Sequence, residues 1–189
     1  MKIELSGLKL AIALCFAWLW LSPAAMAAIV RIAIAKKAET LTIGSSTAAK
    51  LGDRQGHILQ DLASDETTEI AIADGVLTAS DDISATQLVL QPNDPNGFVY
   101  VNGKAYRGSL SLFPDDEGIL AVNHVELEPY VSSVVGGEVG SGFAFEAMKA
   151  QAVASRTYVL HHQQRRLGDR FDIGNTAAAQ VYRGVADEA

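Results

Sequence analysis

The chain has 189 residues, 49% of them hydrophobic, and a formal net charge of −7. That is enough apolar material for one ordinary domain with its own core, or a small pair. The acidic balance argues against nucleic acid held by bulk electrostatics.

Lys2 and Lys9 precede an apolar run over residues 10–21. At about a dozen residues it is short for a membrane span, which needs roughly 20. Ser22-Pro23 then breaks the run ahead of Ala25-Met26-Ala27, an A-x-A cleavage site. The pattern predicts a cleaved export signal over 1–27, with an uncleaved anchor as the alternative, and no membrane span after cleavage. The expected location is outside the cytoplasm, in the periplasm or cell envelope. Cys15 is the only cysteine and falls inside this signal. The mature chain then has neither a disulfide nor a thiolate metal site.

Residues 29–35, IVRIAIA, alternate around Arg31 as a first strand would. Residues 40–44, 69–73, 75–79 and 87–90 are further short strand candidates, separated by turn signals such as Ala73-Asp74-Gly75 and Asn93 to Gly97. The acidic pairs Asp65-Glu66 and Asp81-Asp82 read as solvated loop charges. Asn102-Gly103 sits between two strand-like runs, a hairpin signal. Residues 106–113 and 119–125, joined by a turn over 114–118, are expected to pair and deliver the chain to Pro129, which can open a short helix.

The stretch 127–158 organises the rest. An apolar segment, 130–135, runs into a glycine-punctuated loop, 136–142, with Glu138 at its middle. From about Phe145 a long helix is expected, because Ala147, Ala150, Ala154, Tyr158 and His161 recur at three- and four-residue steps. The small residues of that stripe predict a buried helix, with Arg156 bridging to a carboxylate or loop carbonyls. Gly168 is the expected terminator. The fold class is α+β: a β-rich N-terminal part of short strands (28–104), then a part dominated by one buried helix (105–189). Adjacent His161 and His162 point to different sides and do not form a metal pair. Ser109, Ser132 and Ser155 lack the spacing to a histidine and an acid that a nucleophile needs.

Several motifs follow one another in a recognisable order: Tyr106-Arg-Gly-Ser; Val122-Asn123; Leu127-Glu-Pro-Tyr130; Val134-Val135-x-x-Glu138; the block from Glu146 to Tyr158; Phe171-Asp172; Thr176; and Gln180-Val-Tyr182. In this order the chain resembles the SpoIID/LytB family, the stage II sporulation protein D type of cell-wall protein, most clearly over 106–184. The resemblance implies a peptidoglycan lytic transglycosylase that cleaves the bond between N-acetylmuramic acid and N-acetylglucosamine and leaves 1,6-anhydro ends. The alternative it carries is a non-catalytic enhancer of a cell-wall amidase. The family's catalytic glutamate falls on Glu138. Gln151, Arg156, Tyr158, Thr176, Gln180 and Tyr182 are the candidates for touching the glycan strand or positioning Glu138, with Asp172 beside them.

One carboxylate suffices for this chemistry, because the muramic acid's own 6-hydroxyl attacks the anomeric carbon; hydrolases of glycans need two. Such a glutamate serves near neutral pH when apolar neighbours favour its protonated form, and Val134, Val135, Val139 and Phe143 are the expected neighbours. Two departures stand out. Relatives carry E-M-P where this chain has Glu138-Val139-Gly140, which predicts a looser loop. Some relatives bind zinc near the last motif, where this chain has Gly174 and Ala178-Ala179, so no metal and no cofactor are expected. The family domain also normally runs beyond the Gln180-Val-Tyr182 motif, which makes its C-terminal part an expected loss here.

Overall fold

The computed structural model describes residues 28–80, 82–139, 142–176 and 179–188. The export signal expected over 1–27 lies outside the described residues, as do Asp81, Gly140 and Ala178.

Numbered in chain order, the described strands form two sheets. The first runs β13 (Ile173–Gly174), β1 (Ile29–Ala38), β12 (Gly118–Glu126), β11 (Ser109–Asp115), β8 (Leu88–Pro92), β3 (Ala49–Asp53) and β4 (Ile58–Leu62). The second runs β10 (Lys104–Arg107), β9 (Phe98–Val101), β2 (Thr40–Ser45), β5 (Thr67–Ala73), β6 (Val76–Ala79) and β7 (Ile83–Ala85). β1 pairs in parallel with β13 and antiparallel with β12. The class is α+β, as the strand and helix patterns predict.

Alternation sets the faces. In β2, Leu41 and Ile43 are buried while Thr40 and Thr42 are exposed, the period-two pattern of a half-buried strand. Leu41, Ile43, Ile70 and Val99 of the second sheet share one apolar cluster with Ile32, Leu90, Leu110 and Leu112 of the first. β12 is buried on both faces. Its Ala121 and Val125 enter that cluster, while Leu120 and Val122 pack with Ala33, Phe113 and Phe171 on the other side. The Asn102-Gly103 hairpin forms as expected between β9 and β10, with φ of 48° and 77°. Positive φ at both positions is what a two-residue turn matching strand twist requires.

Two helices follow β12: α1 (Leu127–Val139) and α2 (Phe145–Arg165). Two sequence expectations are corrected here. The glycine loop over 136–142 is instead helix up to Val139, so Glu138 stands on the last turn of α1 and not in mid-loop. A helical glycine costs only about 1 kcal/mol against alanine, and a packed neighbour at Gly137, described below, needs the missing side chain. The second correction concerns burial of the long helix. α2 is the dominant helix, but Ala147, Ala150 and Ala154 face solvent, and only Ser155 and Val159 are buried. Its inward stripe is Met148, Ala152, Ser155 and Val159, at helical spacing but too weakly apolar to stand out from the alanines. α2 ends at Arg165, three residues before Gly168, with Arg166 as its cap. No described helix is long and apolar enough to cross a membrane.

Candidate functional site

α1 opens with Glu128 and Pro129 in its first turn, where a negative side chain and a residue without an N–H are both favoured. From there Tyr130, Ser133, Gly137 and Glu138 fall on one face at steps of three, four and one. That face lies against residues 180–187. The phenol of Tyr130 donates to Oε1 of Gln180 at 2.5 Å, and the hydroxyl of Ser133 donates to the carbonyl of Gly184 at 2.8 Å. A Cβ added at Gly137 would lie 3.0 Å from the Val181 carbonyl and 3.0 Å from Oδ2 of Asp187. One turn further, the backbone N–H of Val181 donates to Oε1 of Glu138 at 2.9 Å.

The segment is fixed from its other side as well. The Tyr182 N–H donates to Oδ1 of Asn175 at 3.0 Å, and its phenol donates to Oδ1 of Asn123 at 2.7 Å. The amide nitrogen of Asn123 donates in turn to the carbonyls of Arg107 and Ser109, so this buried asparagine is paired at both ends. The Tyr182 ring lies between Tyr106 and Tyr130, at centroid distances of 5.8 and 5.4 Å. Burial pushes the phenols of Tyr130 and Tyr182 well above the usual tyrosine value, and both remain donors.

Glu138 itself is exposed. The apolar surroundings expected for it are not assembled: Val134 and Val135 point into the core, and Phe143 is 58% exposed. One carboxylate oxygen is held by the Val181 N–H, and no other hydrogen bond to Glu138 occurs among the described residues. The result is an exposed carboxyl group oriented through one oxygen.

The remaining candidates divide. Gln180 and Tyr182 are buried and belong to the segment packed on α1, with Gln180 only 7% exposed. Tyr158 is half-buried, stacks on His162 at 4.4 Å, and is close enough to Tyr130 to help raise its phenol's pKa. Gln151 donates to the Ser155 hydroxyl within α2 at 3.3 Å. Thr176 is exposed, its carbonyl accepting from the Ala179 N–H. Arg156 makes a two-pronged pair with Glu128, at 3.0 and 2.7 Å, the bridge to a carboxylate that the sequence suggested. Glu128 precedes Glu138 by ten residues, roughly 15 Å of helix, so Arg156 and Glu138 serve opposite ends of α1. Asp172 is fully buried, pairing with Arg31 at 2.5 Å and accepting the Arg31 N–H at 2.8 Å. It anchors the chain after α2 to β1. Among the described residues no group of three or more His, Cys, Asp or Glu side chains could hold a metal ion.

Sequence reasoning missed Gly137, Ser133, Asn175 and the Val181 N–H. The first two share the Tyr130–Glu138 spacing and were legible once the stretch is read as helix; a backbone amide leaves no signal in the sequence.

Residues 115–189 match the family model described as SpoIID, stage II sporulation protein. That segment is thus similar to the SpoIID family over less than half of the chain. An uncharacterized protein of Brachyspira hyodysenteriae is 40% identical over 90 residues, which cover 47% of this chain and 24% of that relative. This chain thus matches about a quarter of the relative's length. No solved structure matches the chain. The likeness of residues 115–189 to SpoIID suggests a cell-wall related role.

Proposed function

We propose that the chain is a peptidoglycan lytic transglycosylase with Glu138 as its single acid and base. The observation that carries this reading is the state of Glu138: exposed, held through one oxygen by the Val181 N–H, with the other oxygen unbonded among the described residues. Protonated on that open oxygen, it delivers the proton to the glycosidic oxygen as the bond to the anomeric carbon of N-acetylmuramic acid breaks. The sugar's 6-hydroxyl then closes on the same carbon and gives its proton back to Glu138. The product is a 1,6-anhydro end, the carboxyl is regenerated, and neither water nor a second carboxylate takes part. General acid–base work of this kind contributes on the order of 10²–10⁴-fold. A glycan lying over Glu138 excludes water from the carboxyl group.

The exposed face of α2, with Phe145 and Val153 more than half exposed, favours a second reading. Large apolar side chains exposed on one helix suit a protein partner, and a cell-wall amidase stimulated by this chain is the partner that the family resemblance implies. The test that separates the two uses exported-form protein from about Ala28, glycan strands stripped of stem peptides, and mass spectrometry of the products. Anhydro-muramic ends from the wild type but not from Glu138→Gln support the transglycosylase. A folded protein that yields no such ends, yet stimulates an amidase with or without Glu138, supports the second reading.

A further inference from the structure

Gln180 and Tyr182 carry the look of substrate contacts in the sequence, but both side chains point into the protein. We infer that they are positioning residues: with Tyr130 and Gly137 they form a clamp that aims the Val181 N–H, and through it the Glu138 carboxylate. This rests on the transglycosylase reading for its functional consequence, though not for its geometry.

Three observations carry it. Each residue on either side of Val181 is pinned, Gln180 by the Tyr130 phenol and Tyr182 through its N–H and its hydroxyl. The intervening peptide therefore has little freedom to turn its N–H away from Glu138. At Gly137 the helix backbone and the Val181 carbonyl come so close that even a methyl group would meet it at 3.0 Å, tighter than ordinary van der Waals contact. Beyond the clamp the chain leaves at Gly184, whose φ of 72° favours glycine and where an added Cβ would collide with the Ala105 carbonyl. The bond from Val181 joins a backbone donor to a carboxyl oxygen on an exposed side chain. Without the clamp, water would compete for both partners, and the carboxylate would sample its other rotamers.

The inference differs in consequence from a glycan-contacting role. A substrate contact made equally in the bound and transition states alters KM alone, whereas a group that aims the acid alters kcat. The experiment uses the full chain, isotope-labelled for NMR, as wild type, Tyr130→Phe, Gly137→Ala and Glu138→Ala. Hydrogen exchange is read at the Val181 amide, and product formation is followed on stem-free glycan strands. Tyr130→Phe keeps the buried ring, so the fold is preserved; Gly137→Ala reaches the clamp from a second side should the first be absorbed. Loss of one such hydrogen bond predicts exchange roughly five- to tenfold faster at Val181 in Tyr130→Phe and Gly137→Ala. It also predicts kcat lower by a similar factor with KM unchanged. Glu138→Ala should expose the same amide. Unchanged Val181 protection in both clamp variants overturns the inference, and so does a rise in KM at constant kcat. If the wild type forms no anhydro product, the catalytic reading fails, while the exchange data still decide whether the clamp exists.

Discussion

α1 and α2 are neighbours in sequence and in space, and they behave in opposite ways. α1 is the shorter, and glycines interrupt its C-terminal half, yet Tyr130, Val131, Ser133, Val134 and Val135 are all buried and its far face holds residues 180–187. α2 has 21 residues of largely strong helix formers, but only two of them are buried. Its motif-rich block shows a solvent face of alanines and, among the described residues, one ion pair to α1 through Arg156. The lesson is that helix propensity and packing are separate contributions. α2 forms because its residues favour helix locally, whereas α1 forms because β12 and residues 180–187 give it somewhere to bury.

The comparison breaks most visibly if a residue behind α1 is removed. Tyr182 fills the space between two other rings and closes the bond to Asn123. Tyr182→Ala should cost about 3–5 kcal/mol, the range for large buried aromatics, as a lower urea midpoint at constant slope. The Arg31–Asp172 pair comes next, since it ties the chain after α2 to β1. Asp172→Ala leaves a partly buried guanidinium without its carboxylate, and the expected loss is about 3 kcal/mol, the low end for such pairs. Arg31 keeps the carbonyls of Arg166 and Asp169 as acceptors, which holds the loss at that end.

The link between the helices should matter less. Arg156 and Glu128 are both substantially exposed, so a double-mutant cycle should give roughly 0.2–1 kcal/mol. The hydrogen bonds from Arg156 hold the Glu128 carboxyl below its ordinary value. The sign follows from that direction: the pair's contribution is complete above the unfolded value near 4.5 and is lost as pH falls through the lower folded value. Thermal melts of wild type and Arg156→Ala should therefore converge on acidification below about pH 4.5. Curves that stay apart there would assign Arg156 a role outside this pair.

Much of this was legible beforehand, and the failures have identifiable physical causes. Alternation marks β1, because a half-buried strand repeats every two residues, and short apolar runs between turn signals mark β2, β5, β6 and β12. β3 and β4 escaped notice: Ala49–Asp53 and Ile58–Leu62 mix lysine, aspartate and glycine into runs of five, too short and too polar for the pattern to register. Glu138 is legible through the family's motif order, whereas its exposed surroundings leave no signal in the sequence. Gly136-Gly137 signals a loop by local preference, while tertiary contact with Val181 holds the same residues in helix. Gln180 and Tyr182 are polar enough to suggest contact with a sugar, and only the structure shows Tyr130 and Asn123 as their partners.

The smallest expected effect is also the sharpest test of the contrast. If α2 is held by its own propensity, lengthening the side chains on its outer face should be nearly neutral. Ala150→Gln adds bulk where the structure has solvent, and alanine and glutamine differ by only a few tenths of a kcal/mol in helix preference. The expected change is within about 0.5 kcal/mol, the usual range for surface substitutions. A loss of about 2 kcal/mol would mean that the alanine face is packed in the folded protein, since only overpacking costs that much for so modest a change. The stripe of Ala147, Ala150 and Ala154 would then be core, as its spacing first suggested, and the two helices would differ in length but not in kind.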